Sequence, residues 1–311
     1  MSIPTDIAAA VPSAEGAAAV PVDAREDIGR EISRIGRMCR ALRHRSLLIG
    51  LVICIVLVAM CAAAPLLTSL DPNAQDPMAT FQAPGAAHIM GTDAFGRDIF
   101  ARVLYGGRTT MLASLSVVIL GSIVGTAVGL VAGYFGGAVN FVLMRLVDLL
   151  LAFPGILLAL TITAILGPGL DNGIIAIAIV LVPVYARLVE GATAEVCRRP
   201  YVEAAVTLGA GPFFIIRRHI LPNVQSSVIV MTTTWLGIAA LWITGLGFIG
   251  LGVRPPDPEW GAILNDGQMA IMLAWWITVF PGLMLSLFVV GVNLIGDGLR
   301  DELDPTLSRS T

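Results

Sequence analysis

From residue 47 onward the chain alternates long apolar runs with short polar segments. Six runs read as membrane spans: Leu47–Leu67, Thr110–Ala132, Phe141–Leu166, Ile174–Val189, Val224–Phe248 and Trp275–Ile295. Their lengths bracket the roughly 20 apolar residues that a helix needs to cross hydrocarbon. Residues 1–24 are Ala, Pro and Val with scattered acids, without helical period or basic n-region, and read as a disordered cytoplasmic tail. In residues 25–45, Ile28, Ile32, Ile35, Cys39 and Leu42 recur at helical spacing while Arg30, Arg34, Arg37 and Arg40 fill another face. That pattern predicts a basic amphipathic helix lying on an anionic membrane surface. The first apolar run reads as an uncleaved span, because Met60 occupies the position where a lipoprotein cleavage box needs a small residue. In the second span Gly121, Gly125, Gly129 and Gly133 are each four residues from the next, which puts them on one helix face where backbones can approach closely. Pro154, Pro183 and Pro281 fall within or near spans and predict kinks.

Composition agrees with this pattern. The 311 residues are 56% apolar and 13% charged, with a mean hydropathy of +0.85. Soluble domains carry about 25% charged residues, so residues 46–305 are expected to form one polytopic, all-α membrane domain, followed by a cytoplasmic tail at 306–311. All 19 basic residues are Arg. Without Lys, a P-loop ATPase and a Schiff-base enzyme are both excluded. No Asp, Glu or His lies near the middle of a span, which disfavours proton-driven carriers. Neither HExxH nor GxSxG occurs, and His44, His88 and His219 lie outside the spans, so no catalytic residue is expected. Cys39, Cys54, Cys61 and Cys197 form no CxxC or Cys/His cluster, so neither a disulfide nor a metal site is expected.

Charge distribution sets the expected orientation. With the amino terminus inside, the inner segments hold seven Arg ahead of Leu47, then Arg145, Arg187, Arg198, Arg199, Arg217, Arg218, Arg300 and Arg309. Only Arg97, Arg102, Arg108 and Arg254 remain outside. Fifteen against four predicts both termini in the cytoplasm of a multi-pass inner-membrane protein.

The longest inner loop, residues 190–223, contains a short helix at Glu203–Leu208 with Ala204, Ala205 and Leu208 available for contact. Gly209 and Gly211 form a break, and Pro212 opens a second helix predicted to end at Pro222. Such a helix–turn–helix between two spans is suited to docking another protein. The run Glu203-Ala204-Ala205, three residues, Gly209, nine residues, then His219-Ile220-Leu221-Pro222 resembles the EAA loop of binding-protein-dependent ABC importer permeases. The family pattern usually has an aliphatic residue where His219 stands. Four further segments resemble the second permease subunit of dipeptide, oligopeptide, nickel and glutathione importers: Gly91–Arg108 (GTDAFGRDIFARVLYGGR), Gly133–Asp148, Pro255–Gly261 (PPDPEWG) and Asn293–Pro305.

The resemblance implies a type I importer bundle in which Glu203, Ala204, Ala205, Leu208, Gly209 and Pro222 belong to a coupling helix seated on a cytoplasmic ATPase. It also implies a homologous permease subunit, two ABC ATPase subunits and an extracytoplasmic solute-binding protein as partners, with no nucleic acid. No cofactor is expected in this chain; ATP and Mg would be bound by the ATPase subunits. The alternative is a stand-alone passive channel or carrier. In the outer motif Gly91, Thr92, Asp93, Gly96, Arg97 and Asp98, the mixture of signs at Asp93, Arg97 and Asp98 predicts a self-paired loop. Trp275 and Trp276 predict an aromatic belt. Asp297, Arg300, Asp301 and Asp304 suit ion pairing or ATPase contact. Thr161, Thr163, Thr232 and Asn293 offer a generic polar lining that does not distinguish a dipeptide from a nickel chelate or glutathione.

Overall fold

The computed structural model of the chain describes residues 45–303. The predicted tail at 1–24, nearly all of the basic helix at 25–45, Asp304 and the tail at 306–311 lie outside them. The described residues are helical apart from connecting loops: α1 (Arg45–Ala62), α2 (Ala64–Leu67), α3 (Ile99–Phe135), α4 (Gly137–Leu151), α5 (Gly155–Leu166), α6 (Leu170–Cys197), α7 (Pro200–Thr207), α8 (Pro212–Ile215), α9 (Leu221–Phe248), α10 (Trp260–Gln268) and α11 (Trp276–Leu303). Five segments are long and apolar enough to span a membrane, the fourth of them running from Pro212 to Phe248.

Two predicted spans change shape. The second begins at Ile99, eleven residues before Thr110, because Asp98 caps it by accepting from the Ala101 N–H. Its early turns carry Arg102 and Arg108, which broke the apolar pattern without breaking the helix. The third is not one helix: α4 and α5 meet at 89°. Pro154 stands at the junction; it has no N–H to continue α4 and biases Phe153 away from helical geometry. By contrast, Pro183 and Pro281 are carried inside the continuous helices α6 and α11.

The most extensive helix contact joins α3 to α6. The glycine stripe forms it. A Cβ at Gly121 would lie 2.7 Å from Leu181 Cβ, one at Gly125 2.5 Å from Tyr185 Cβ, one at Gly129 2.6 Å from the Ala186 carbonyl, and one at Gly133 2.6 Å from Thr193 Cβ. Position rises along both helices together, so they run parallel, as two spans separated by a third crossing must. α1 and α11 meet in the opposite sense: Gly50 faces Leu294 and Ile295, Gly291 faces Cys54, and Gly298 faces Leu47. α9 packs between these pairs, against α3, α6 and α11. On α4, Asn140 donates to Glu190 at 2.7 Å and Asp148 accepts from Arg187, which fastens the bent pair to α6.

Two ends of the bundle are built differently. At one, residues 63–98, α10 and the loops flanking it form a cap; at the other, α7 and α8 form a separate small element. The expected Trp275–Trp276 belt divides. Trp275 is half exposed, whereas Trp276 is 5% exposed and its indole N–H donates to the Thr92 carbonyl at 3.0 Å. The start of α11 is thereby pinned under the cap. Thr163 is likewise buried, its hydroxyl donating to the Ala159 carbonyl, and lines no pathway.

Replacing Gly125 with Leu is expected to destabilise the bundle by about 1–3 kcal/mol or more, through overpacking against α6. Gly191→Ala, on the same α6 but with no atom within 4 Å of its Cβ position, is expected to be neutral or to stabilise by about 0.5–1 kcal/mol. Thermal unfolding of the detergent-extracted protein distinguishes the two; equal midpoints would show that the glycine face tolerates bulk.

Candidate functional site

The loop-end element begins with Pro200 at the first position of α7, so the helix starts three residues before Glu203 and ends at Thr207. Leu208 follows it, and Gly209 turns the chain at φ +82°, a conformation that side chains with a Cβ adopt at a cost. α8 then opens at Pro212 as its pattern predicted. It does not end at Pro222. A wide turn at Ile216–Ile220 carries it directly into α9, and Pro222 sits exposed in the first turn of that long helix, where a missing N–H costs nothing. Pro222 therefore belongs to the span, apart from the turn that Gly209 makes.

This element has two faces. Val202, Ile215 and Ile220 are buried with Val189 and Val196 of α6, Leu130 of α3 and Val224 of α9. Glu203, Ala204, Leu208, Phe213 and Phe214 point outward, Leu208 being 87% exposed and Phe213 76%. Ala205 is half-buried. His219 packs between Tyr201 of α7 and Phe214 of α8, with ring centroids 6.0 and 5.7 Å away. An aromatic ring at that position holds α7 against α8.

At the cap end the motif Gly91–Asp98 folds on itself. Asp93 accepts from the backbone N–H groups of Phe95 and Arg97 and from Arg97 Nε at 2.6 Å. Arg97 reaches on to Asp266 of α10 at 2.8 Å. Arg102, 2% exposed, stands 3.8 Å from Asp93 and 3.5 Å from Asp266, and donates to the carbonyls of Pro72 and Pro256. Two Asp and two Arg thus tie the motif to α10. Asp98 caps α3 with one oxygen and meets His88 at 2.8 Å with the other. Thr92 is fully buried: its hydroxyl accepts from Gln82 N–H and donates to the Ala79 carbonyl. Gly91 and Gly96 have φ of +74° and +71°, and a Cβ on Gly91 would strike the Trp276 indole. Arg102 and Asp266 were not singled out from sequence; Arg102 lies within the Gly91–Arg108 segment, but nothing local marks Asp266 as its partner.

Glu259, from the Pro255–Gly261 segment, is a third feature that sequence reasoning passed over. It is fully buried. It caps α10 by accepting from the Ala262 N–H at 3.0 Å, and its other oxygen lies 2.9 Å from Thr110 Oγ1. That hydroxyl also lies 3.1 Å from the Gly106 carbonyl and accepts from the Trp260 N–H at 3.3 Å. A protonated Glu259 donating to Thr110, with Thr110 donating to Gly106, fits these contacts. Burial pushes the carboxyl above its usual 4.5, against the opposing pull of the hydrogen bonds it accepts.

Because the folded chain holds the Glu259 proton more tightly than the unfolded chain, its contribution is full below pH 4.5 and declines as pH rises from 4.5 through the raised value in the fold. Glu259→Gln is expected to fold and to flatten that decline in thermal unfolding scans from pH 5 to 8. Glu259→Ala, which strands the Ala262 N–H, is expected to lose about 1–3 kcal/mol. A Gln variant with the pH profile of the parent would place the titration elsewhere.

Comparison with known proteins accounts for this arrangement. Residues 125–309 match the family described as binding-protein-dependent transport system inner membrane component, and residues 38–84 match the N-terminal transmembrane domain of oligopeptide transport permease C. The chain is 43% identical to the dipeptide transport system permease protein DppC of Alkalihalophilus pseudofirmus, over 85% of this chain and 87% of that one. It is 44% identical to the glutathione transport system permease protein GsiD of Pectobacterium atrosepticum, over 73% and 75%. It is 42% identical to the probable D,D-dipeptide transport system permease protein DdpC of Escherichia coli K12, over 82% and 85%. Among solved structures it shares the fold of a chain from the MetNI methionine ABC transporter in an inward-facing conformation, with a TM-score of 0.52 at 19% identity, covering 65% of this chain and 97% of that one. A helical bundle with an exposed two-helix element at one end, matched to one family model over more than half its length, belongs to the inner membrane components of binding-protein-dependent transport systems.

Proposed function

We propose that this chain is a permease subunit of an ATP-driven importer of peptides, with α7 and α8 as the element that receives force from a cytoplasmic ATPase. One observation carries the reading: the element is clamped to α3, α6 and α9 by Val202, Ile215 and Ile220 on one side, and presents Glu203, Leu208, Phe213 and Phe214 outward on the other. An apolar, exposed surface on a connection between spans marks a docking site for a protein partner. A stand-alone channel has no use for one. The relatives named as dipeptide and D,D-dipeptide permeases support the solute class, and the arginine split supports cytoplasmic termini and a cytoplasmic α7–α8.

In this mechanism ATP and Mg are held by two ATPase subunits, and closure of those subunits displaces α7–α8. Because the buried cluster joins that element to α6 and α9, and the glycine contact joins α6 to α3, the displacement is delivered to three spans together. A second, homologous permease completes the pathway, and an extracytoplasmic binding protein delivers solute to the cap end. This chain contributes half of the pathway and no hydrolysis.

Glu203→Ala and Gly209→Val are expected to leave the extracted complex intact while lowering solute-stimulated ATP hydrolysis in proteoliposomes by about 5- to 100-fold, the range of ordinary coupling energies. Glu203 is exposed and Gly209 has open space around it, so neither change disturbs the bundle; Val strains only the turn. A cysteine placed at Thr207 in a cysteine-free background is expected to react with a membrane-impermeant reagent only from the cytoplasmic side, and to become protected when ATPase subunits are added. Parental hydrolysis rates in both variants, or labelling from outside, would overturn the assignment.

A further inference from the structure

A cavity of about 690 Å³ opens at the cap end, between the first turns of α3, the start of α6 and the Val253–Pro258 loop. Four charged side chains line it: Arg108, Arg254, Asp171 and Asp257. Among the described residues, none of the four makes an ion pair within 4 Å, although the tetrad at Asp93, Arg97, Arg102 and Asp266 nearby is tightly paired.

Neutral partners hold three of these charges in place. Arg108 donates to the carbonyls of Cys61 and Ala62, each at 2.5 Å, and lies over the Tyr105 ring. Arg254 donates to the Pro168 carbonyl at 3.3 and 3.4 Å. Asp257 accepts from Asn73 Nδ2 at 3.4 Å. Carbonyls and an amide fix a charged group without neutralising it, so two positive and two negative groups face one cavity without a counter-ion within 4 Å, Arg108 half-buried and Arg254, Asp171 and Asp257 exposed at its rim. Preorganised, unneutralised charge is what recognises a charged ligand. The cavity has the size of a small-molecule site and the concavity that flat protein interfaces lack. Its balanced lining suits a ligand that brings one carboxylate and one ammonium and no net charge.

We propose that this cup is a receiving site for small zwitterionic peptides, with Arg108 and Arg254 meeting the free carboxylate and Asp171 and Asp257 the free ammonium. The inference rests on the peptide-importer reading above and adds a peptide site within the permease itself, separate from any site in the binding protein.

The test uses the permease–ATPase complex in nanodiscs without binding protein, and titrates alanyl-alanine, N-acetyl-alanyl-alanine and alanyl-alanine amide by saturation-transfer NMR. Each blocked form is expected to bind about tenfold more weakly than the zwitterion. Arg254→Gln, which leaves Arg108, is expected to reduce the preference for a free carboxylate while keeping that for a free amine, and Asp171→Asn with Asp257→Asn to abolish the preference for a free amine while keeping that for a free carboxylate. A merely structural role would weaken all three ligands alike. Equal binding of blocked and free forms, unchanged preferences in the variants, or variants that weaken only the association of the binding protein with the complex would overturn the cup. Uptake of labelled alanyl-alanine by proteoliposomes supplied with binding protein separates the two claims. No peptide uptake by the parent importer refutes the importer reading itself, whereas uptake with unaltered terminal preferences in the nanodisc assay refutes only the cup.

Discussion

The contact on which the rest of the bundle depends is the absence of side chains between α3 and α6. In lipid, apolar surface gains little by leaving one hydrocarbon environment for another, so helices associate through close packing. Gly121, Gly125, Gly129 and Gly133 remove four side chains from one face of α3, and the α6 backbone and Cβ atoms fill that space at distances no Cβ permits. A contact so close has one register. That register sets where Leu130 meets Val189 and Val196 at the loop end, and where the first turns of α3 meet α10 at the cap end.

The cap shows how charge is used where it is removed from water. Asp93, Arg97 and Arg102 are all nearly buried, and only Asp266 keeps substantial exposure. Burying ions is costly even when paired, so such a network is weak evidence of added stability. What it does supply is geometry: each group has a partner on a different segment, and misplacing α10 relative to the Gly91–Asp98 turn would leave buried charge uncompensated. Glu259 follows a different rule. It lies in the same cap without a cationic neighbour within ion-pairing distance among the described residues, and satisfies itself by hydrogen bonds to Thr110 and Ala262. The charged cup beside Asp257 follows a third rule, with three of its four charges fixed by neutral groups and none paired within 4 Å among the described residues.

The loop end is a direct extension of the spans. Pro212 through Phe248 form one helical path interrupted only by the wide turn at Ile216–Ile220. Phe213 is therefore joined to α9 along the chain, and the neighbouring Ile215 to α6 through the buried cluster. At the same end, the Asn140–Glu190 and Asp148–Arg187 contacts carry the bent pair α4–α5 with α6.

The sequence by itself determined the features governed by local composition and period: apolar runs, the glycine stripe at a spacing of four, the Gly209 turn flanked by a helix on either side, and the family to which those motifs belong. Each follows from a few adjacent residues, because helix periodicity and lipid solubility are local properties. Tertiary structure alone decided which side chains meet across distance. Pro154 split a span that hydropathy read as continuous, whereas Pro183 and Pro281 lie inside helices that continue past them. Trp276 became an anchor for Thr92 instead of an interfacial ring, and Asp266 became the partner of Arg97 across 169 residues of chain. Glu259 was buried by α3 and α10 closing over it, a fate that a polar residue in a Pro-rich loop does not announce. Pairings between segments depend on the register of whole helices, and that register is fixed by the packed bundle, where no local pattern reaches.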